Sequence, residues 1–153
     1  MNTFSFRISA LTLLLAATSL PAVAGDHRYA LDATYIKECG ACHVAYPAAL
    51  LPAPNWATVM KSLDRHYGTD ASLDAKAEVA IGRWLADNAS RRDKHAVEPT
   101  PGQPVRLSES PWFQKEHRRA RLPVVGGKKA SFAQCDACHT LAAKGDYNEG
   151  SMK

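Results

Sequence analysis

The sequence predicts an all-α fold built from short helices and connecting loops. Apolar residues recur at helical spacing from Trp56 to Tyr67 and again from Leu73 to Leu85. Capping residues, prolines and glycines stand where such helices would begin and end. After residue 25, no segment has the alternating or continuously apolar pattern that indicates a strand. Together these observations favour helices over a βαβ arrangement.

The first residues have the form of a secretory leader. Residues 1–7 carry one positive charge, residues 8–20 are apolar, and the small residues that a signal peptidase requires end at Ala24. The apolar run is shorter than the roughly 20 residues that span a bilayer. We therefore predict a signal peptide over 1–24, cleavage after Ala24, and a mature chain that has no transmembrane segment.

Three helices are predicted in the first half of the mature chain. Residues 32–38 form a short helix, and Asn55 is expected to cap a second helix that Gly68 ends. A third helix runs over roughly 73–89 and places its apolar residues on one face.

The second half is predicted to be less regular. Helical periodicity fails over 93–111, where prolines and a glycine indicate a linker or a long loop. Ser110 then has the form of an N-cap, with proline at the first position of a short helix that ends at His117. Residues 131–134 have the form of a capping box for a last helix, which Gly145 is expected to end.

All four cysteines lie in two C-x-x-C-H units. This unit is the attachment signature of c-type haem. Two thiols one helical turn apart can bond the two vinyl groups of one porphyrin, and the adjacent histidine can ligate its iron. The sequence therefore predicts two covalently bound c-type haems. The attachment residues would be Cys39, Cys42, Cys135 and Cys138, and the adjacent iron ligands would be His43 and His139.

Three other interpretations of the cysteines were weighed against haem. Two C-x-x-C pairs can bind zinc, but zinc ribbons separate the pairs by about 15 to 20 residues, far fewer than separate these motifs. Two disulfides would suit an oxidising compartment, but they would leave the two histidines without a role. A thioredoxin-like motif would require a βαβ pattern, for which the sequence has no strands.

The second axial ligand of each iron decides the function. A five-coordinate iron can bind small molecules, whereas an iron with two protein ligands mainly transfers electrons. The remaining candidates are His27, His66, His95, His117, Met60 and Met152. His66 lies three residues after Leu63 on the face expected to meet the haem, and His117 follows Phe113 by one helical turn. We favour these two histidines over the alternative that each is a partly solvated surface residue.

Four segments resemble the bacterial dihaem cytochrome c family, known as DHC, and they occur in the family's order. They are 38–52, 66–73, 111–117 and 135–139. The resemblance implies a class I-like cytochrome c helical domain followed by a smaller, less regular haem-binding domain. It also implies two histidine ligands on each iron, supplied by His43, His66, His117 and His139.

We therefore expect a periplasmic electron carrier that is not an enzyme, with haem domains over 25–95 and 111–153 and a linker over 96–110. The resemblance implies a membrane cytochrome b as electron donor and a small oxygen-binding periplasmic haem protein as acceptor. No nucleic-acid partner is expected. The alternatives are an electron-transfer subunit of a periplasmic reductase, a dihaem peroxidase with one open iron, and a haem-based gas sensor.

The segment 115–129 is strongly basic, although the formal net charge of the chain is only +4. Its cations are Lys115, Arg118, Arg119, Arg121, Lys128 and Lys129. They form either a solvated face or a docking surface for an acidic partner or for haem propionates.

Overall fold

The computed structural model describes residues 26–100 and 104–153. The predicted signal peptide and its cleavage site lie outside these residues. Within them the protein is mostly helical, as predicted, and no helix is long and apolar enough to cross a membrane. The α-helices of these residues are α1 (Ala33–Cys39), α2 (Ala53–Met60), α3 (Ala75–Asp87) and α4 (Pro111–His117). Short 3₁₀ turns occupy Ala48–Leu50, Leu63–Arg65, Asp93–His95, Leu107–Glu109, Cys135–Ala137, Ala142–Lys144 and Glu149–Ser151.

Three of the α-helices begin at polar caps. The Asp32 carboxylate accepts the backbone N–H of Tyr35 at 2.9 Å, and the Asp74 carboxylate accepts two N–H groups at the start of α3. The Ser110 hydroxyl accepts the N–H of Phe113 at 3.2 Å, with proline at the first helical position. These bonds satisfy donors that a helix start leaves unpaired. The predicted start of α4 is therefore confirmed.

The second helix differs from the prediction. It begins at Ala53 and ends at Met60, well before Gly68. Asn55, predicted as its N-cap, lies inside the helix, where its buried side chain donates to the Val97 carbonyl at 2.8 Å and accepts the Val97 N–H at 3.0 Å. Because buried polar groups need hydrogen-bond partners, Asn55 serves to join α2 to the chain that follows α3.

A single apolar cluster connects the helices to the predicted linker. Helix α3 packs against α1 and α2, while α4 packs against the turns at 93–95 and 107–109. Val97, Val105 and Leu107 fall within the predicted linker over 96–110, and all three are buried. The linker residues described here therefore contribute to the core that supports α4, and the division into two haem domains stays a prediction.

A two-stranded hairpin was not predicted. Strand β1 (Val124–Val125) pairs antiparallel with β2 (Lys128–Lys129) through a two-residue turn. Gly126 and Gly127 adopt φ angles of 57° and 78°, as a turn with two left-handed residues requires. Strands of two residues are too short to produce a recognisable sequence period.

The residues before α1 pair with the C-terminal segment. The Tyr29 N–H donates to the Gly145 carbonyl at 2.9 Å, and the Tyr147 N–H donates to the His27 carbonyl at 3.1 Å. Gly145, predicted to end a last helix, instead ends the separate 3₁₀ turn Ala142–Lys144, with φ of 74°. A Cβ at this position would lie 2.3 Å from the Tyr29 carbonyl oxygen, so the pairing also needs a residue without a side chain.

Candidate haem-binding sites

The first C-x-x-C-H motif begins at the end of α1. Cys39 is the last helical residue and is half-buried, whereas Cys42 is exposed. His43 follows, and its Nδ1–H donates to the Val44 carbonyl at 2.7 Å. A carbonyl can only accept, so in the neutral ring the lone pair lies on Nε2. That nitrogen is therefore the one available to a metal.

His66 faces His43 from a different part of the chain. It caps the turn at Leu63–Arg65, and the positive φ of Tyr67, 50°, redirects the chain immediately after it. The His43 and His66 rings are nearly parallel, with centroids 6.3 Å apart and an angle of 20° between their planes. Burial, and next the nearby His43, lower the pKa of His66, so the neutral ligand form is favoured.

The second C-x-x-C-H motif is built from a tighter turn. Ser131 N–H donates to the Gln134 side-chain oxygen at 2.9 Å, which is one arm of the predicted capping box. The following residues form the 3₁₀ turn Cys135–Ala137, so the prediction of a last helix here is wrong. The His139 N–H still reaches the Cys135 carbonyl at 2.8 Å, which keeps the histidine one turn after the first cysteine.

His117 faces His139 from the last position of α4. The centroids of the two rings are 6.3 Å apart, but the angle between their planes is 71°. The His117 Nδ1–H donates to the Phe113 carbonyl at 2.9 Å, and its ring stacks on the Phe113 ring at 3.9 Å. Burial, and next the nearby His117, lower the pKa of His139.

The separation within each ring pair fits one metal ion between two imidazoles. A bond from imidazole nitrogen to a metal is about 2 Å long, and the ring centroid lies roughly 1.1 Å behind the nitrogen. Rings on opposite sides of one metal therefore have centroids about 6 Å apart, close to the 6.3 Å of both pairs. The donor set of two thiols and two imidazoles at each site thus fits a covalently attached haem.

The chemistry of the thiols argues against a redox dithiol. The pKa of Cys39 is raised to about 11 by burial and then by Glu38. Burial likewise raises the pKa of Cys135 to about 11, with a smaller contribution from Asp136. Dithiol oxidoreductases need a lowered thiol pKa. Within the described ranges all four thiols are free, and no three His, Cys, Asp or Glu side chains converge as a metal-ion site.

The other candidate ligands lie elsewhere. His95 is buried, with Nδ1 within 2.8 Å of the Ser90 hydroxyl and 3.1 Å of the Ala49 carbonyl. Its ring packs on Trp112 at 4.6 Å, so it joins the turn after α3 to α4. His27 is exposed. Met60 packs against the apolar cluster, and half of Met152 is exposed.

Sequence reasoning missed two tyrosine contacts at these sites. Tyr147 lies with its ring 5.1 Å from His139 and 5.8 Å from Tyr29. Tyr46 follows the first motif, yet its hydroxyl reaches the Ala133 carbonyl of the second motif's segment. Both residues follow a C-x-x-C-H motif within eight positions, but nothing in the local pattern indicates what their side chains contact.

Comparison with known proteins agrees with these observations. A sequence profile described as "Dihaem cytochrome c" (DHC) matches residues 35–147. The crystal structure of DHC purified from Rhodobacter sphaeroides is 40% identical, covers 78% of this chain and 99% of its own, and superposes with a TM-score of 0.63. A diheme cytochrome c from the same organism is 37% identical, with coverages of 78% and 99% and a TM-score of 0.66. The diheme cytochrome type c sb-DHC from Shewanella baltica OS155 is 35% identical, with coverages of 79% and 90% and a TM-score of 0.65. A search of curated proteins gave no match.

The two motifs, the profile match and the solved structures lead to the same assignment. The profile covers most of the chain, and the solved structures are similar along almost their whole lengths. The family carries two c-type haems, each with its iron, and transfers electrons through them. This chain therefore belongs to the dihaem cytochrome c family.

Proposed function

We propose that the protein is a periplasmic one-electron carrier in which each haem iron lies between two histidines. The observation that carries this proposal is the equal spacing of two imidazole pairs. His43 with His66, and His117 with His139, each have ring centroids 6.3 Å apart. When bound, the haems would supply reversible exchange between ferric and ferrous iron.

In this proposal the chain's own residues attach the haems, ligate their irons and orient the ligating rings. Cys39 and Cys42 would hold one haem through thioethers, and Cys135 and Cys138 the other. His43 and His117 each donate Nδ1–H to a backbone carbonyl. Such bonds fix the tautomer and the plane of a ligating ring, and they raise its basicity.

Histidine on both faces of each iron would favour low reduction potentials, because ligation by methionine and histidine raises them. Neither described methionine outside the leader lies in a ring pair: Met60 packs in the apolar cluster and Met152 is exposed. This ligand set therefore supports an electron carrier that has low reduction potentials and no substrate site.

The finer architecture and the location are parts of the same proposal. Residues 25–95 would form a class I-like cytochrome c domain; the packing of α1 and α2 on α3, with the first motif beginning at the end of α1, supports this. Residues 111–153 would form the less regular haem domain. The leader over 1–24, cleaved after Ala24, would direct the chain to the periplasm.

For partners we propose a membrane cytochrome b as donor and a small periplasmic haem protein as acceptor. The basic segment supports an acidic docking partner, because its six cations are exposed and form no ion pair with any described carboxylate. Lys115 lies in the last turn of α4, and the other five cations follow His117 and continue into β2. Long-range attraction of this kind speeds encounter and is screened by salt.

Charge reversal tests the docking surface. The double variant Lys128→Glu and Lys129→Glu should slow electron transfer to a small periplasmic haem protein of the same bacterium, most strongly at low salt. The matched control is Lys76→Glu with Arg83→Glu, which reverses two exposed cations on α3. Equal slowing by both double variants would contradict a localised docking surface.

Carbon monoxide tests the carrier against its enzymatic and sensing rivals. A peroxidase or a gas sensor needs an open iron, whereas two histidine-ligated irons leave no free position. We expect the spectrum of the ferrous wild type at neutral pH to be unchanged by carbon monoxide. Stoichiometric binding would contradict the proposal. A reductase subunit would pass this test and would be recognised by stable copurification with a catalytic chain.

A further inference from the structure

Tyr46 contacts both haem-binding segments. Its ring stacks on the His43 ring, with centroids 4.7 Å apart and an angle of 22°. Its hydroxyl donates to the Ala133 carbonyl at 2.8 Å, across 87 residues of sequence. Ala133 lies two residues before Cys135, the first cysteine of the second motif. One side chain therefore joins the ligand of one site to the attachment segment of the other.

The first segment holds Tyr46 in place. The Tyr35 hydroxyl donates to the backbone carbonyl of Tyr46 at 2.8 Å. Tyr35 itself is buried, and its ring lies 5.0 Å from Trp84 of α3. Pro47, the next residue along the chain, is fully buried. The backbone of Tyr46 is thus tied to the core of α1 and α3, so its hydroxyl presents a defined donor to the second segment.

We infer that Tyr46 is a positioning residue that fixes the two haem segments against each other and thereby controls electron exchange between them. This inference rests on the proposed function. In the exchange, one electron leaves a ferrous iron in one segment and reduces the ferric iron in the other. No proton moves and no bond forms or breaks at Tyr46. Electronic coupling falls steeply with distance, so a small separation of the segments slows the exchange.

Tyr46→Phe tests this role in the holoprotein. The variant keeps the aromatic ring against His43 and removes only the donor to Ala133. The matched control is Thr58→Val, which removes a hydroxyl-to-carbonyl bond of 3.0 Å within α2 and touches neither Tyr46 nor the second segment. The melting temperatures of both variants are compared with that of the wild type, so that a general loss of folding stability is detected.

Exchange NMR on the haem methyl signals of the half-reduced protein measures the rate between the two sites. Tyr46→Phe should slow the exchange, by up to about fivefold, because loss of a typical intramolecular hydrogen bond lowers the ratio of docked to undocked segments by about that factor. Thr58→Val should leave the rate close to that of the wild type. Equal slowing in both variants, or no slowing in Tyr46→Phe, would overturn the inference. Failure of the proposed function would be visible separately, as carbon monoxide binding by the wild type.

Discussion

The two candidate haem-binding sites have the same ring separation but differ in ring orientation and support. Both pairs have centroids 6.3 Å apart, yet the planes meet at 20° in the first pair and at 71° in the second. The first motif begins at the end of α1, which packs on α3, whereas the second motif begins with a 3₁₀ turn that follows a short hairpin in the chain. The common separation fits what one metal ion requires, and the angle depends on which element carries each ring.

The ring planes have local causes. His43 is oriented by its bond to Val44 and by stacking on Tyr46. His117 is oriented by its bond to Phe113 within its own helix and by stacking on that ring. Among the described residues, the buried Nδ1 of His139 has no hydrogen-bond partner. Because a hydrogen bond to the second nitrogen orients a ligating ring, His139 is less firmly oriented than His43 or His117.

Loss of one haem should produce the largest effect and separate the sites most clearly. Cys135→Ala with Cys138→Ala should remove only the second haem and unfold the segment after β2, which buries few apolar residues. Cys39→Ala with Cys42→Ala should remove only the first haem and loosen the helical core. Mass spectrometry counts the haems, and far-ultraviolet circular dichroism follows the helices. Equal loss of helix in both variants would contradict the difference between the sites.

Opening the second iron is expected to have the next largest effect. His117→Ala removes an axial nitrogen and should create stoichiometric carbon monoxide binding that the wild type lacks. The control is His95→Ala, because His95 is buried but packs on Trp112 outside both ring pairs. Carbon monoxide difference spectra of the ferrous proteins measure the effect. A variant His117→Ala that still excludes carbon monoxide would show that another residue ligates this iron.

Exchange of a ligand at the first iron should have a moderate effect. His66→Met should raise the potential of one haem by on the order of a hundred millivolts, because a thioether favours ferrous iron. The other haem should change only through its coupling to the first. Spectroelectrochemical titration resolves the two potentials, and equal shifts in both would contradict the pairing of His66 with His43.

The ring angles themselves predict two different ferric spectra in the wild type. Nearly parallel ligand planes split the iron d orbitals differently from nearly perpendicular ones. We expect a rhombic low-spin electron paramagnetic resonance signal from the first site and a strongly anisotropic one from the second. His117→Ala should abolish only the second signal. Two identical spectra would show that haem binding equalises the angles of 20° and 71°.

The smallest expected effect is a pH dependence of folding stability that arises at His95, which joins the turn after α3 to α4. Burial lowers the pKa of His95, and the positive Lys94 and Arg92 lower it further, against the opposing bond to Ala49. The unfolded chain therefore binds a proton first as the pH falls below about 6.5, and stability is lost through the window down to the lower folded pKa. Above that window the contribution is constant. His95→Asn should flatten the dependence of unfolding free energy on pH, measured by denaturant titrations between pH 5 and 7. If the dependence of unfolding free energy on pH were unchanged in the variant, His95 would be excluded as the source of that dependence.

Local sequence was enough to predict features whose contacts span a few residues. The cap at Ser110, the end of α4 at His117 and the C-x-x-C-H motifs all depend on neighbours within one helical turn. The cap predicted at Asn55 was wrong because its polar atoms pair with Val97, 42 residues away. No local pattern can distinguish a capping amide from a buried amide whose partner lies elsewhere in the fold.

The same limit applies to the candidate sites. Their residue types and the attachment chemistry follow from the sequence alone, because the two cysteines and the histidine of each motif lie within five consecutive residues. Only the tertiary structure brings His66 opposite His43 and His117 opposite His139, with different ring angles. Only the tertiary structure joins the segments through Tyr46 and Ala133. The physical reason is that these distances and angles depend on the packing of elements far apart in the chain, which a period or a motif does not encode.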